Sequence, residues 1–376
     1  MASHRFVYAG CVLTSAVAAL VVAGIVWSAP ARVAALHATE QPATPVAALA
    51  SGFTLDGPFT HDNLIVYVVR GSTTDARQYI TLDEGLAART VAVREKTRAG
   101  RDQAEVNELE IENRSDQWLF LQAGDIVKGG KQDRTIMTDL TLAPHAAPQP
   151  IEAFCVEHGR WTASQDGLSF GKNPGIVAGT PLKIAIQGEK SQPRVWQEVA
   201  KTERLGVAAA RASGAPMAAD AVAFSTTGTY NAIAENKTLS TNRDAYVAAL
   251  LPQIKKQPNA IGMAIAINGT VTSADVYASP ALFQRLSGKL LNSYALEGVL
   301  ARHASPQPAT APTKQQVVAF LSKPSAVRAA NETVGTSMQR ATRETDEMVM
   351  YEYGRIAPGP NAVARVAVVH QSYLKK

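Results

Sequence analysis

Apolar and polar positions alternate in two regimes along this chain. From Leu64 to Glu157, short apolar runs recur between polar turns: "LIVYVV", "YITL", "TVAVRE", "LEIEN", "WLFLQ", "TIMTDLTL" and "PIEAFCVE". Such spacing predicts an antiparallel sandwich or barrel, with "GST" at Gly71, "NRSD" at Asn113 and "APHAAP" at Ala143 as turns. Beyond Pro193 the period changes. "PRVWQEVAKTERLGVAAARA" predicts a helix, "STTGTYNAIAENKTLSTN" a long polar loop, and Arg243 to Lys256 a second helix ended by Pro258. "AIGMAIAINGTVTSADVYA" sets two β runs about Asn268-Gly269, the dipeptide that a type I′ hairpin requires. Ser279-Pro280 then opens a helix to about His303, with Phe283, Leu286, Leu290 and Tyr294 on its buried face. After the Pro- and Ala-rich "ASPQPATAPT", a short helix near Gln315 to Leu321 precedes two terminal strands, "EMVMYEY" and "VARVAVVHQSYL".

These elements predict an α+β protein. A β-rich lobe is expected over residues 54–190 and a mixed helix and hairpin lobe over 191–303. A spacer at 304–313 and a short helix with a strand pair over 314–376, packed on the preceding lobes, complete it. The folded part is expected to start near Phe53, and the remaining stretch of about 320 residues exceeds what one small core organises, hence two lobes.

The N-terminus sets the compartment. His4 and Arg5 precede an uncharged run of 22 residues, Phe6 to Trp27, followed by small residues at Ser28 to Ala31. Residues 1–31 therefore predict a signal peptide or an uncleaved membrane anchor. Ala29-Pro30-Ala31 offers a cleavage exit, and Cys11 falls too early for a lipoprotein signal. Residues 32–53 are an Ala- and Pro-rich tether. The protein is expected to be exported, periplasmic or in the cell envelope, and to meet the membrane only through this segment.

Charge alters this picture little. The net charge is +5, yet Lys and Arg are scattered among 32 acidic residues with no basic block interleaved with aromatics, which argues against nucleic acid. With Cys11 in the leader, Cys155 is the lone thiol of the exported part, so no intramolecular disulfide is expected there. HExxH, HxH, paired CxxC, GxSxG and GxGxxG patterns are all absent. No metal site is expected and no cofactor is indicated.

Chemistry concentrates between Gly129 and Trp161. In the strand ending at Glu157, Ile151, Ala153, Cys155 and Glu157 share one face, which places the thiol and the carboxylate about 7 Å apart. Gly129 and Gly130 allow a tight turn, and Lys131 and Arg134 with Arg160 offer charge-assisted bonds to phosphate or carboxylate. Asp125, Asp133 and Glu157 balance them. As a pocket for a small anionic ligand, the set would use Gly129, Gly130, Lys131, Gln132, Arg134, Arg160 and Trp161 for binding, with Glu157 as acid or base. Cys155 is a candidate nucleophile, with His370 or His61 as its base. The alternative is a non-catalytic envelope module in which the same residues form an internal ion-pair network.

"GDIVKGGKQDR", followed about 20 residues later by "CVEHGRW", resembles the paired signature of an uncharacterised domain family. That family is named for genomic association with ADP-ribosylglycohydrolases and rhodanese-type phosphatases. The resemblance extends to "VWQEVAKTERLGV" at Val195, to the hairpin and helix from Ala260, and to "VVHQSYL". Carried onto this sequence, the pattern implies roles for Gly124, Gly129, Gln132 and Arg134, and for Cys155, Glu157, Gly159, Arg160 and Trp161. Asp133 stands where the pattern has Asn, and His158 fills a free position. The family's genomic company implies ADP-ribose or a related nucleotide as ligand.

Overall fold

The computed structural model describes residues 52–97, 104–165, 167–171, 175–214, 228–302, 310–322, 324–357 and 365–376. The leader, nearly all of the tether and most of the spacer at Ala304 lie outside them. Residues 43–376 belong to one compact unit.

Three β assemblies and seven α-helices make up the described chain, an α+β architecture. The larger sheet has eight strands, ordered Thr54–His61, Leu64–Arg70, Ala260–Ile267, Thr270–Tyr277, Arg365–Lys375, Met348–Ala357, Met338–Glu344 and Arg328–Val334. All its pairings are antiparallel. Its central strands are covered on both sides, which is why "LIVYVV" and "AIGMAIAI" run apolar without alternation. Leu64, Val66, Met263 and Ile265 face the helices Lys237–Lys255 and Pro280–Arg302. Ile65, Tyr67, Ala264 and Val276 face the helix Lys314–Leu321. The expected hairpin forms, with Asn268 and Gly269 at φ of 50° and 78° as the turn type demands.

The β-rich region closes into a six-stranded barrel in the order Gln149–Cys155, Ala104–Asn113, Val91–Thr97, Ser169–Gly171, Ile126–Gly129 and Arg134–Ile136. Its lining of Val93, Leu109, Ile111, Ile136 and Ile151 is continuous with Val349, Tyr351 and Tyr353 of the larger sheet. A three-stranded sheet of Tyr79–Thr81, Trp118–Leu121 and Leu140–Leu142 completes the β structure.

The structure departs from the pattern-based expectations at four places. "TIMTDLTL" is two strands in two different sheets, because Asp139 interrupts it and accepts the Ala123 amide at 2.7 Å. The supposed polar loop before Arg243 is largely helical. Thr229 caps a helix at Tyr230–Glu235, and Asn236 caps the next, which begins at Lys237 and carries Pro252 within its last turn. A short helix, Leu82–Ala87, follows a capping box of Thr81 and Glu84. Finally, the hairpin Arg328–Glu344 has a mostly exposed first strand, so its sequence lacks an apolar stripe.

Candidate functional site

The two signature strings meet at one end of the barrel. Cys155 lies directly opposite Arg134 across the strand pair. Arg134 turns into the barrel and is fully buried. There its guanidinium donates to both oxygens of Glu95 at 3.1 Å and to the Cys155 sulfur. Glu95 also accepts the Lys131 amide at 3.0 Å. That contact needs the glycine turn: at Gly130, φ +51°, a β-carbon would stand 2.8 Å from the Glu95 carboxylate and press into the Phe170 ring.

A second layer sits on this pair. Arg160 donates from Nε to both oxygens of Glu157 at 3.0 Å and from Nη2 to Glu157 at 2.6 Å. Its Nη1 reaches the carbonyls of Gly130 at 2.8 Å and Thr162 at 3.1 Å, and Nη2 those of Gly129 at 3.1 Å and the Asp133 carboxylate at 3.3 Å. Asp133 in turn accepts from the Gly129 amide, Thr229 Oγ1 and Asn231 Nδ2 at 3.1, 3.0 and 2.7 Å. The Asp133 amide donates to Glu157 at 3.0 Å. Gln192, the first residue of the helix Gln192–Ala212, closes the set by exchanging two 2.8 Å bonds with the Cys155 main chain.

Electrostatics follow from this burial. Burial pushes the Cys155 thiol up to about 11; the Arg134 charge opposes the shift and the Glu95 charge adds to it. Burial likewise raises the Asp133 carboxyl, against the bond from Asn231 and with the Glu157 charge. For Arg160, burial works against the cation, but the bonds to Glu157 and the charges of Glu157 and Asp133 outweigh it and hold the guanidinium charged. The thiol is thus a neutral acceptor, whereas a nucleophile or metal ligand has to be a thiolate.

The expected site residues are therefore together, but pointed variously. Arg134, Cys155, Glu157, Asp133 and Gln132 are buried, and among the described residues the Gln132 side chain reaches only the His158 carbonyl, at 3.5 Å. Gly129 and Gly130 form the turn that Arg160 clamps. Trp161 is 52% exposed beside it. Lys128 pairs on the surface with Glu235 at 2.6 Å, and Asp125 pairs with Lys289 at 2.7 Å. His158 packs its ring edge-on against Trp196. Neither suggested base is placed for Cys155: His61 packs against Tyr246, and both ring nitrogens of His370 are taken by carboxylates.

His370 belongs to a second buried network that the sequence reading missed. Its Nδ1 meets Asp139 at 2.5 Å and its Nε2 meets Asp275 at 3.1 Å, while its ring stacks on Tyr277 at 4.4 Å. Asp275 also binds Lys183 at 3.2 Å and accepts from Tyr294. Burial alone would lower the His370 pKa, but the two carboxylates raise it to about 9. Burial disfavours the Asp275 anion, yet Lys183 above all, with His370 and Tyr294, holds its carboxyl well below the usual range. Glu95 could have been found from strand alternation. Glu95 continues the alternating phase of Val91 and Val93, both buried, whereas Asp275 follows the polar Ser273 and is marked only by its apolar neighbours Ala274 and Val276.

Among the described residues, no group of three His, Cys, Asp or Glu is placed to hold a metal ion. A cavity of about 590 Å³ opens away from both networks, with Arg194, Arg340 and Lys376 facing Glu189, Glu332 and Glu344. No curated protein and no solved structure matches the chain. Residues 52–374 match the family of the ARG and Rhodanese-Phosphatase-superfamily-associated Protein domain, ARPP-1, and the chain, with both signature strings in place, belongs to it.

Proposed function

We propose that the protein is a non-catalytic module of the cell envelope, exported and tethered by its N-terminal segment. Its polar signature acts as an internal ion-pair network that fixes one end of the barrel. The observation that supports this reading is the saturation of Arg160: Nε, Nη1 and Nη2 all donate to carboxylates or carbonyls of the fold. A phosphate bound at that guanidinium would have to displace two carboxylates and three main-chain carbonyls. Arg134 is still less available, being enclosed with Glu95 inside the barrel. For export, the support is the uncharged run Phe6 to Trp27 and the Ala- and Pro-rich stretch after it.

Thermal unfolding with and without ADP-ribose tests the reading, because a ligand that binds the native state raises the unfolding temperature by mass action. No rise is expected. A rise that Arg160→Ala abolishes, with the variant otherwise as stable as the parent, would return the signature to an anionic pocket.

A further inference from the structure

A second cavity, of about 380 Å³, is walled in part by Tyr230, next in sequence to Thr229 and Asn231 of the signature network. Its walls are Leu182, Leu205, Ile267, Leu296, Leu300 and Ala301, contributed by three helices and the hairpin turn. This volume is within the range of small-molecule sites, which are mostly apolar with a few convergent polar groups. Glu297 and Tyr230 are such groups here, beside Thr202, Asn268 and Thr272.

Glu297 is half-buried and differs from three fully buried carboxylates of the fold. Asp275, Asp125 and Glu95 each hold a cation within 3.2 Å. Glu297 instead accepts only from Thr180, at 2.9 Å from its amide and 3.3 Å from its hydroxyl, both on one oxygen. Its second oxygen bonds to none of the described residues, and Lys183, the cation whose charge it feels, is bound to Asp275. The Tyr230 hydroxyl accepts the Gly179 amide at 3.0 Å, so its own proton is free to point toward the cavity. Burial raises the Glu297 carboxyl, against the bonds from Thr180 and the charge of Lys183.

We propose that this cavity binds a small molecule with an apolar body and one protonated amine, the amine pairing with Glu297 and the body filling the space between Leu205, Leu296 and Leu300. The site is independent of the network reading above, since no residue of either network lines it.

Isothermal titration of the full-length chain with 4-phenylbutylamine and with the matched alcohol, 4-phenylbutanol, tests this. The amine is expected to bind, and the alcohol about tenfold more weakly or worse, as for loss of a charge-assisted bond. Glu297→Gln should remove that preference while leaving the alcohol's affinity unchanged. Leu205→Trp, at the half-exposed rim, should block both compounds without altering the carboxylate. Equal affinity for amine and alcohol, a preference that survives Glu297→Gln, or binding of neither compound would each overturn the proposal.

Discussion

Every group bonded to the Asp133 carboxylate is a donor: the Gly129 amide, Thr229, Asn231 and Arg160. A carboxylate, which only accepts, satisfies them all, whereas an amide would turn a donor toward one of them. Cys155 shows the same inward logic. Burial holds its thiol protonated to about pH 11, so at pH 8 a thiol-reactive probe is expected to label native protein far more slowly than urea-unfolded protein. Equal rates would contradict the packing described for Cys155. The sequence placed Cys155 and Glu157 on one face and named both arginines. It could not say whether a guanidinium points outward to a ligand or inward to Glu95, because strand alternation fixes a face and not its partner. Glu95 escaped notice although "TVAVRE" carries it at the inward phase of Val91 and Val93.

Among the elements, those with strong local rules were legible. The Asn268-Gly269 hairpin, the helix after Pro280 and the two terminal strands all form where patterning puts them. The elements missed are those whose pattern depends on distant partners. Asp139 splits one apolar run into two strands because it serves both Ala123 and His370, a requirement invisible from Thr135 to Leu142 alone. The His370 network fastens the strand Arg365–Lys375 to the hairpin strand Thr270–Tyr277 and to the helix Thr180–Ile184 through Asp275 and Lys183. It also gives stability a pH dependence. The His370 pKa is raised from 6.5 to about 9 on folding, so its contribution is complete below about pH 6.5 and is lost as pH rises through 9. That contribution is on the order of 3 kcal/mol. Asp275, held low, contributes above about pH 4 and loses its share only as pH falls further. Urea unfolding at pH 6 and pH 9 should show the loss in the parent and a flatter profile in His370→Gln; identical profiles would place the dependence elsewhere.

Over the whole molecule, strands from residues 54–70, 260–277 and 328–375 assemble one sheet. Local periodicity does not encode such long-range pairing, so the sequence indicated a β-rich start and a mixed remainder without the order of strands. The α+β class was legible because short β runs and long amphipathic helices occupy separate stretches of chain. No described helix is long and apolar enough to cross a membrane; the run Phe6 to Trp27 lies outside the described residues. Deletion of residues 6–27 is expected to retain the protein in the cytoplasm, whereas the full chain should fractionate with the envelope or periplasm. Export of the deleted form would refute that role for the segment. The reading of the signature as an internal network comes down to Arg134, buried completely with Glu95 and Cys155. The decisive measurement is the unfolding free energy of Arg134→Ala against the parent in urea. A loss of about 3–5 kcal/mol is expected, as when one partner of a buried ion pair is removed. Unchanged or increased stability, together with loss of binding to a nucleotide-like anion, would contradict the network and identify Arg134 as a ligand-binding residue.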